Sequence, residues 1–279
     1  MAQPSPREDD ATMADGSHEA PILLREDQGP IATLTLNRPK ALNALSEGMM
    51  AALQDEFDRL ATQPETKVVV LRAAGRAFCA GHDLKEMQGG RQAPDGGRAY
   101  FNALFAQCSR LMTSVARLPQ PVIAEVHGLA TAAGCQLVAS CDMAVAAEEA
   151  KFGVNGVNIG LFCSTPMVAL SRNIPRKHAF ELLTTGEFLD AARAREVGLV
   201  NRVVPADSLA AETRALAETV ASKLGAAVRI GKRAFYEQAE MTLDAAYAHT
   251  GRVMAENMLL RDTAEGVQAF LEKRPPDWS

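Results

Sequence analysis

No apolar run in this 279-residue chain approaches the roughly 20 residues needed to span a bilayer, so no membrane span is expected. Positive charge is also in short supply. The formal net charge is −5, and residues 1–20 carry Glu8, Asp9, Asp10, Asp15 and Glu19 against Arg7 alone, which leaves the rest close to neutral. A nucleic-acid partner is therefore excluded, because it needs a basic stripe to release counterions from phosphates. An anionic ligand must be held by a few local charges. There is no C-x-x-C pair: Cys79, Cys108, Cys135, Cys141 and Cys163 are odd in number and widely spaced. They read as reduced thiols acting as small buried hydrophobes. The N-terminus has neither an apolar signal-peptide core nor the Arg-rich, acid-poor makeup of a transit peptide, so a cytoplasmic protein is expected, with residues 1–21 as a disordered acidic tail. No internal repeat of fixed period is found.

What is present is the balance of an ordinary globular protein, 47% hydrophobic and 23% charged, long enough for a substantial core. Ile31-Ala-Thr-Leu-Thr-Leu36 alternates as a half-buried strand does. Ser46 is a candidate N-cap for a helix carrying Met49, Leu53, Phe57 and Leu60, and Lys67-Val-Val-Val-Leu71 is a second strand. A second round follows: helical spacing over 100–118, a strand over 121–126, a short helix over 135–140 and a strand near 143–146. This rhythm predicts an α/β core. After Pro205 only helical spacing remains, over 208–224, 228–239 and 243–271. The chain is thus divided into the tail, a core over 22–205 and a helical region over 206–279, and the glycine-rich stretch 89–97 is a candidate lid.

Two glycine-containing strand-to-helix turns stand out, Phe78-Cys-Ala-Gly-His-Asp-Leu-Lys85 and Gly128-Leu-Ala-Thr-Ala-Ala-Gly-Cys-Gln136. Either alone is weak evidence, since glycine in a turn ordinarily reflects backbone freedom. With Leu36-Asn-Arg-Pro-Lys-Ala-Leu-Asn-Ala44 before them, Pro121-Val-Ile-Ala-x-Val-x-Gly128 between them, and Phe152-Gly153 after, the ordered set resembles the crotonase (enoyl-CoA hydratase/isomerase) superfamily over residues 22–273. Gly160-Leu-Phe-Cys-Ser-Thr-Pro166 and Ala255-x-Asn-x-x-Leu-Arg-Asp262 resemble its branch of enoyl-CoA hydratase domain-containing proteins, the protein 3-like group.

The resemblance implies an α/β crotonase fold, a spiral of ββα units with a helical C-terminal oligomerisation region. It also implies an acyl-CoA substrate of the fatty acid metabolism type, an enoyl-CoA hydratase-like lyase, and a homotrimer or hexamer. No metal is expected, and no cofactor beyond the CoA of the substrate. Family members hold the thioester carbonyl between two backbone N–H donors, which fall here on His82 and Ala133. Such donors stabilise the oxyanion of a developing enolate, one alone being typically worth about 3–4 kcal/mol. Lys40, Ala41 and Leu42, together with Ala80, His82, Asp83, Leu84 and Lys85, fall where the family lines CoA. Phe270 and Lys273 fall on the helix that closes over the nucleotide from a neighbouring subunit. Asp83 is expected to hold its turn by accepting backbone N–H bonds.

Hydratases of the family use two glutamates for general acid–base chemistry. At those positions this chain has Gln136 and Gly156, and neither 126–141 nor 151–180 contains a carboxylate. A non-catalytic acyl-CoA binder is therefore the alternative to an enzyme. Asn155, Asn158, Cys163, Ser164, Thr165, the imidazole of His82, and Glu86 at the entrance are the remaining polar candidates, with a buried small hydrophobe the plainer reading of Cys163. Restoring both carboxylates by Gln136→Glu with Gly156→Glu is expected to raise hydration.

Overall fold

The computed structural model describes residues 20–278, so all but the last two residues of the expected tail lie outside the described residues. Strands β1 (Leu23–Gln28) and β2 (Ile31–Leu36) form a hairpin through Gly29, which sits at φ +60° where a side chain is disfavoured. Helix α1 (Glu47–Leu60) follows, and Ser46 caps it as expected, its hydroxyl accepting from the Met49 N–H at 3.1 Å. From there the chain repeats one unit. Each strand of a large sheet is followed by a short strand of a small sheet and then by a helix or helical turn: β3 (Val68–Ala73), β4 (Ala77–Cys79), α2 (Leu84–Gly90) and α3 (Arg98–Arg117); β5 (Val122–Val126), β6 (Leu129–Thr131) and α4 (Ala133–Ser140); β7 (Met143–Ala147), β8 (Lys151–Gly153), a 3₁₀ turn (Asn155–Ile159) and α5 (Ser164–Asn173). Helix α6 (Arg176–Thr185), β9 (Phe188–Asp190), α7 (Ala191–Glu196) and β10 (Arg202–Val204) complete the core.

The large sheet runs β1-β2-β3-β5-β7-β10, parallel except for β1, and the small sheet runs β4-β6-β8-β9, parallel except for β9. Val68, Val69, Val70 and Leu71 are all buried because both faces of the large sheet are covered, which is why that strand reads as a continuous apolar run. One face packs on Met49, Leu53, Phe57 and Leu111, and the other on Leu209, Leu216, Ala217 and Ala221 of helix α8 (Leu209–Ala221). The helix-compatible stretch 243–271 divides into α10 (Leu243–Met258) and α11 (Arg261–Leu271), after α9 (Gly225–Gln238). Among the described residues no helix is long and apolar enough to cross a membrane.

The stretch expected as a lid is anchored at two places. Gly90 lies against the Tyr100 ring, where a Cβ would fall within 2.2 Å, and the Asp95 carboxylate accepts from the N–H groups of Gly97 and Ala99, both at 2.9 Å. Gly90 and Gly97 serve close packing here, while Gly89 and Gly96 face open space.

Candidate active site

Because β4, β6 and β8 are parallel neighbours, the turns that leave them emerge side by side at one edge of the small sheet. The first carries Gly81 and His82, the second Ala132 and Ala133, the third Gly156. The first two touch. Gly134 has no room for a side chain, since its Cβ would fall 2.2 Å from the Cys79 carbonyl oxygen. Gly81, at φ +91°, comes so near that a Cβ there would lie 2.8 Å from the Ala132 Cβ and 3.4 Å from the Ala133 nitrogen.

The neighbouring amides are occupied: Ala80 N–H donates to the Leu42 carbonyl (3.0 Å), Asp83 N–H to Leu45 (3.4 Å) and Ala132 N–H to Gly153 (2.9 Å). The His82 and Ala133 N–H groups donate to no carbonyl among the described residues. Ala133 opens α4, so its free N–H is one of the helix's first-turn donors, at the positive end of the dipole. Ala132 is held at φ 50°, ψ −120°, a conformation costly for any residue with a Cβ, and strain of this kind clusters at functional turns.

The residues 26–279 match the family described as enoyl-CoA hydratase/isomerase. The chain belongs to that family. It is 45% identical to human enoyl-CoA hydratase domain-containing protein 3, mitochondrial, over 94% of this chain and 85% of that protein. It is 44% identical to the Xenopus laevis protein of the same name, over 93% and 86%. Among solved structures, an enoyl-CoA hydratase of Mycobacterium smegmatis superposes with a TM-score of 0.89 at 55% identity, covering 92% of this chain and 99% of that one. The crotonase fold and the branch expected from the motifs are thus both found. The expected cytoplasmic location is overturned by the names of the animal relatives, which assign those proteins to mitochondria. Free, buried cysteines suit any reducing compartment, so they could not make that distinction.

In this family member Asp83 does accept backbone N–H bonds, capping α2 through Lys85 N–H at 3.1 Å. It also pairs with Arg38 at 3.2 Å, while Arg38 donates to the Ala44 carbonyl at 3.1 Å. Arg38 and Asn43 were not singled out from the sequence, yet they join the Lys40–Leu42 turn to the Asp83 turn. Asn43 is fully buried at φ 53°, accepts from Arg38 N–H (2.8 Å) and donates to the Ala74 and Ala77 carbonyls (both 2.8 Å). An asparagine after Arg-Pro, the residue type that best tolerates the left-handed region, was the available signal. Lys40, Leu84 and Lys85 are exposed, and Ala41 and Leu42 half-buried, beside these turns. Phe270, 83% exposed, lies on an α11 that packs chiefly on α10, and Lys273, also exposed, lies in the turn just past that helix, so within one chain they do not meet the turns.

Gln136 is buried in α4, its Oε1 3.9 Å from the Cys108 Sγ of α3. Gly156 corrects the expectation that a glutamate could be restored there. A Cβ would fall 2.3 Å from the Leu161 carbonyl oxygen and 2.8 Å from the Cys163 Sγ, so backbone fills the space. Cys163 is buried, and burial raises its thiol pKa, which keeps it from acting as a thiolate. Burial likewise pushes Cys79, Cys108 and Cys135 up to about 12. Asn155 Oδ1 accepts from the Thr131 hydroxyl at 2.6 Å, Asn158 Nδ2 donates to the Gly186 carbonyl at 3.4 Å, Ser164 is exposed and Thr165 half-buried. Glu86 accepts from the Glu47 N–H at 2.9 Å.

Proposed function

We propose that this chain binds an acyl-CoA thioester and polarises its carbonyl oxygen between the N–H groups of His82 and Ala133. The observation that carries this reading is the contact of the two turns through side-chain-free Gly81 and Gly134, with both amides lacking an acceptor. Two preorganised donors and a helix N-terminus favour the negative charge of an enolate over the neutral thioester, which is transition-state stabilisation. Lys40, Ala41, Leu42, Ala80, Asp83, Leu84 and Lys85 line the CoA portion in this reading, and Phe270 and Lys273 close over it from a second subunit of a homotrimer or hexamer. Gln136 cannot take a proton at neutral pH and Gly156 has no side chain, so hydration by two glutamates is closed to it. The reaction is a lyase-type or isomerase-type conversion that relies on the polarised carbonyl.

One observation favours a second reading, a non-catalytic acyl-CoA binder: the Leu161 carbonyl and Cys163 thiol occupy the space a second carboxylate would need. Crotonyl-CoA followed by loss of enoyl absorbance, and a thioester panel followed by release of CoA, separate the two. Turnover of any thioester selects the enzyme, tight binding without turnover selects the binder, and failure to bind any acyl-CoA contradicts both.

A further inference from the structure

Two polar side chains from the two turns face one helix. The His82 imidazole lies edge-on to Phe105 of α3, with ring centroids 5.7 Å apart, and the Gln136 carboxamide reaches Cys108 of the same helix. Phe105 and Cys108 are three residues apart, about 4.5 Å along the axis and on one face. The imidazole and the carboxamide therefore stand in one row along α3. Both imidazole nitrogens are shut off from water and neither completes a hydrogen bond of good geometry, although the ring approaches the Leu45 backbone. Such groups are rare in folded proteins unless a ligand or water completes them.

The titratable groups on the elements nearest the imidazole are already bonded or stay protonated. Asp83, next in the chain, is engaged by Arg38 and Lys85 N–H. From α2, Glu86 is held by Glu47 N–H. From α3, Tyr100 is pushed up to about 12 by burial and by Glu47, then Glu86 and Asp83, and Cys108 likewise stays protonated. The titratable groups carried by β4 and the first turn of α4 are the thiols of Cys79 and Cys135, which burial keeps protonated. Burial lowers the His82 pKa, partly offset by the Leu45 backbone, so the ring is neutral at neutral pH.

We infer that the His82 imidazole is the proton-transfer group of this site, removing a proton from the α-carbon of a thioester whose carbonyl is held by the N–H groups of His82 and Ala133. The inference rests on the thioester reading above. One ring nitrogen takes the proton as the Cα–H bond breaks, and the electron pair moves onto the carbonyl oxygen as an enolate. Return of a proton from the imidazolium to the carbon restores the thioester and the neutral ring, so no further reactant is consumed.

Exchange of the α-protons of butyryl-CoA in D₂O, followed by proton NMR with the full chain, reads this step without needing a net product. Wild type is expected to wash out the α-proton signal, with a rate that falls as pH drops through and below the ordinary histidine value of about 6.5. His82→Ala and His82→Gln keep both backbone donors. At saturating butyryl-CoA they are expected to exchange at least about 100-fold more slowly. Added imidazole should restore part of the exchange to H82A, which has room for it, and none to H82Q. Wild-type exchange rates in either folded variant overturn the assignment. Should neither variant fold, an exchange rate in wild type that does not fall at acid pH overturns it. Binding by wild type without exchange overturns it while leaving the thioester reading intact, and no binding of butyryl-CoA overturns both.

Discussion

At Ala132, φ 50° and ψ −120° place a Cβ in a region suited to glycine. Ala132→Gly should relieve about 1–3 kcal/mol of strain and lose about 0.4–1 kcal/mol through the freer unfolded chain. A net gain of about 1 kcal/mol in urea unfolding is expected. Gly156 behaves in the opposite sense. Gly156→Ala forces a Cβ onto the Leu161 carbonyl and should destabilise by about 1–3 kcal/mol in the same assay, as overpacking does. His82 adds a pH dependence. Its folded pKa is depressed, so the unfolded chain binds more protons, and stability present above the unfolded histidine value is lost as pH falls through the folded one. Thermal melts should therefore fall more steeply with acid for wild type than for His82→Gln, and equal slopes would count against a buried neutral imidazole.

Helix α9 is fixed to the core by one polar cluster. The buried Lys232 ammonium donates to the Val115 and Gln120 carbonyls (3.0 and 2.9 Å) and pairs with Asp142 at 2.7 Å, while Asp142 also takes the Tyr236 hydroxyl at 2.9 Å and the Val122 N–H at 2.6 Å. Lys232→Ala leaves Asp142 half-buried without its cation and should cost about 3–5 kcal/mol in denaturant unfolding. A cost under about 1 kcal/mol, typical of a surface pair, would contradict this role. Elements with a clear period are legible in the sequence: β2 from its alternation and α1 from Ser46 and its apolar spacing. The strands of the small sheet are three residues long and show no period, so β4, β6 and β8 were visible only as the residues before the glycine turns. Their parallel pairing, which sets His82 beside Ala133, is a tertiary fact that a linear pattern does not carry. In 89–97 Gly90 and Gly97 mark tight packing and Gly89 and Gly96 open surface, so glycine content alone does not distinguish a lid from a packed turn.

Across the whole molecule, the C-terminal arm of α10 and α11 exposes Leu243, Tyr247, Met254, Leu259, Phe270 and Leu271, each at least 66% accessible. Surfaces this apolar are uncommon on monomers and suit burial between copies of the chain. A trimer or hexamer is the expected species in light scattering at micromolar concentration, and Leu259→Asp with Phe270→Asp should shift it toward monomer and weaken acyl-CoA binding. The infrared difference spectrum of a carbonyl-¹³C-labelled acyl-CoA should show its thioester stretch moved to lower wavenumber on binding, because two amide donors draw charge onto the oxygen. An unshifted stretch in a saturated complex would contradict the account.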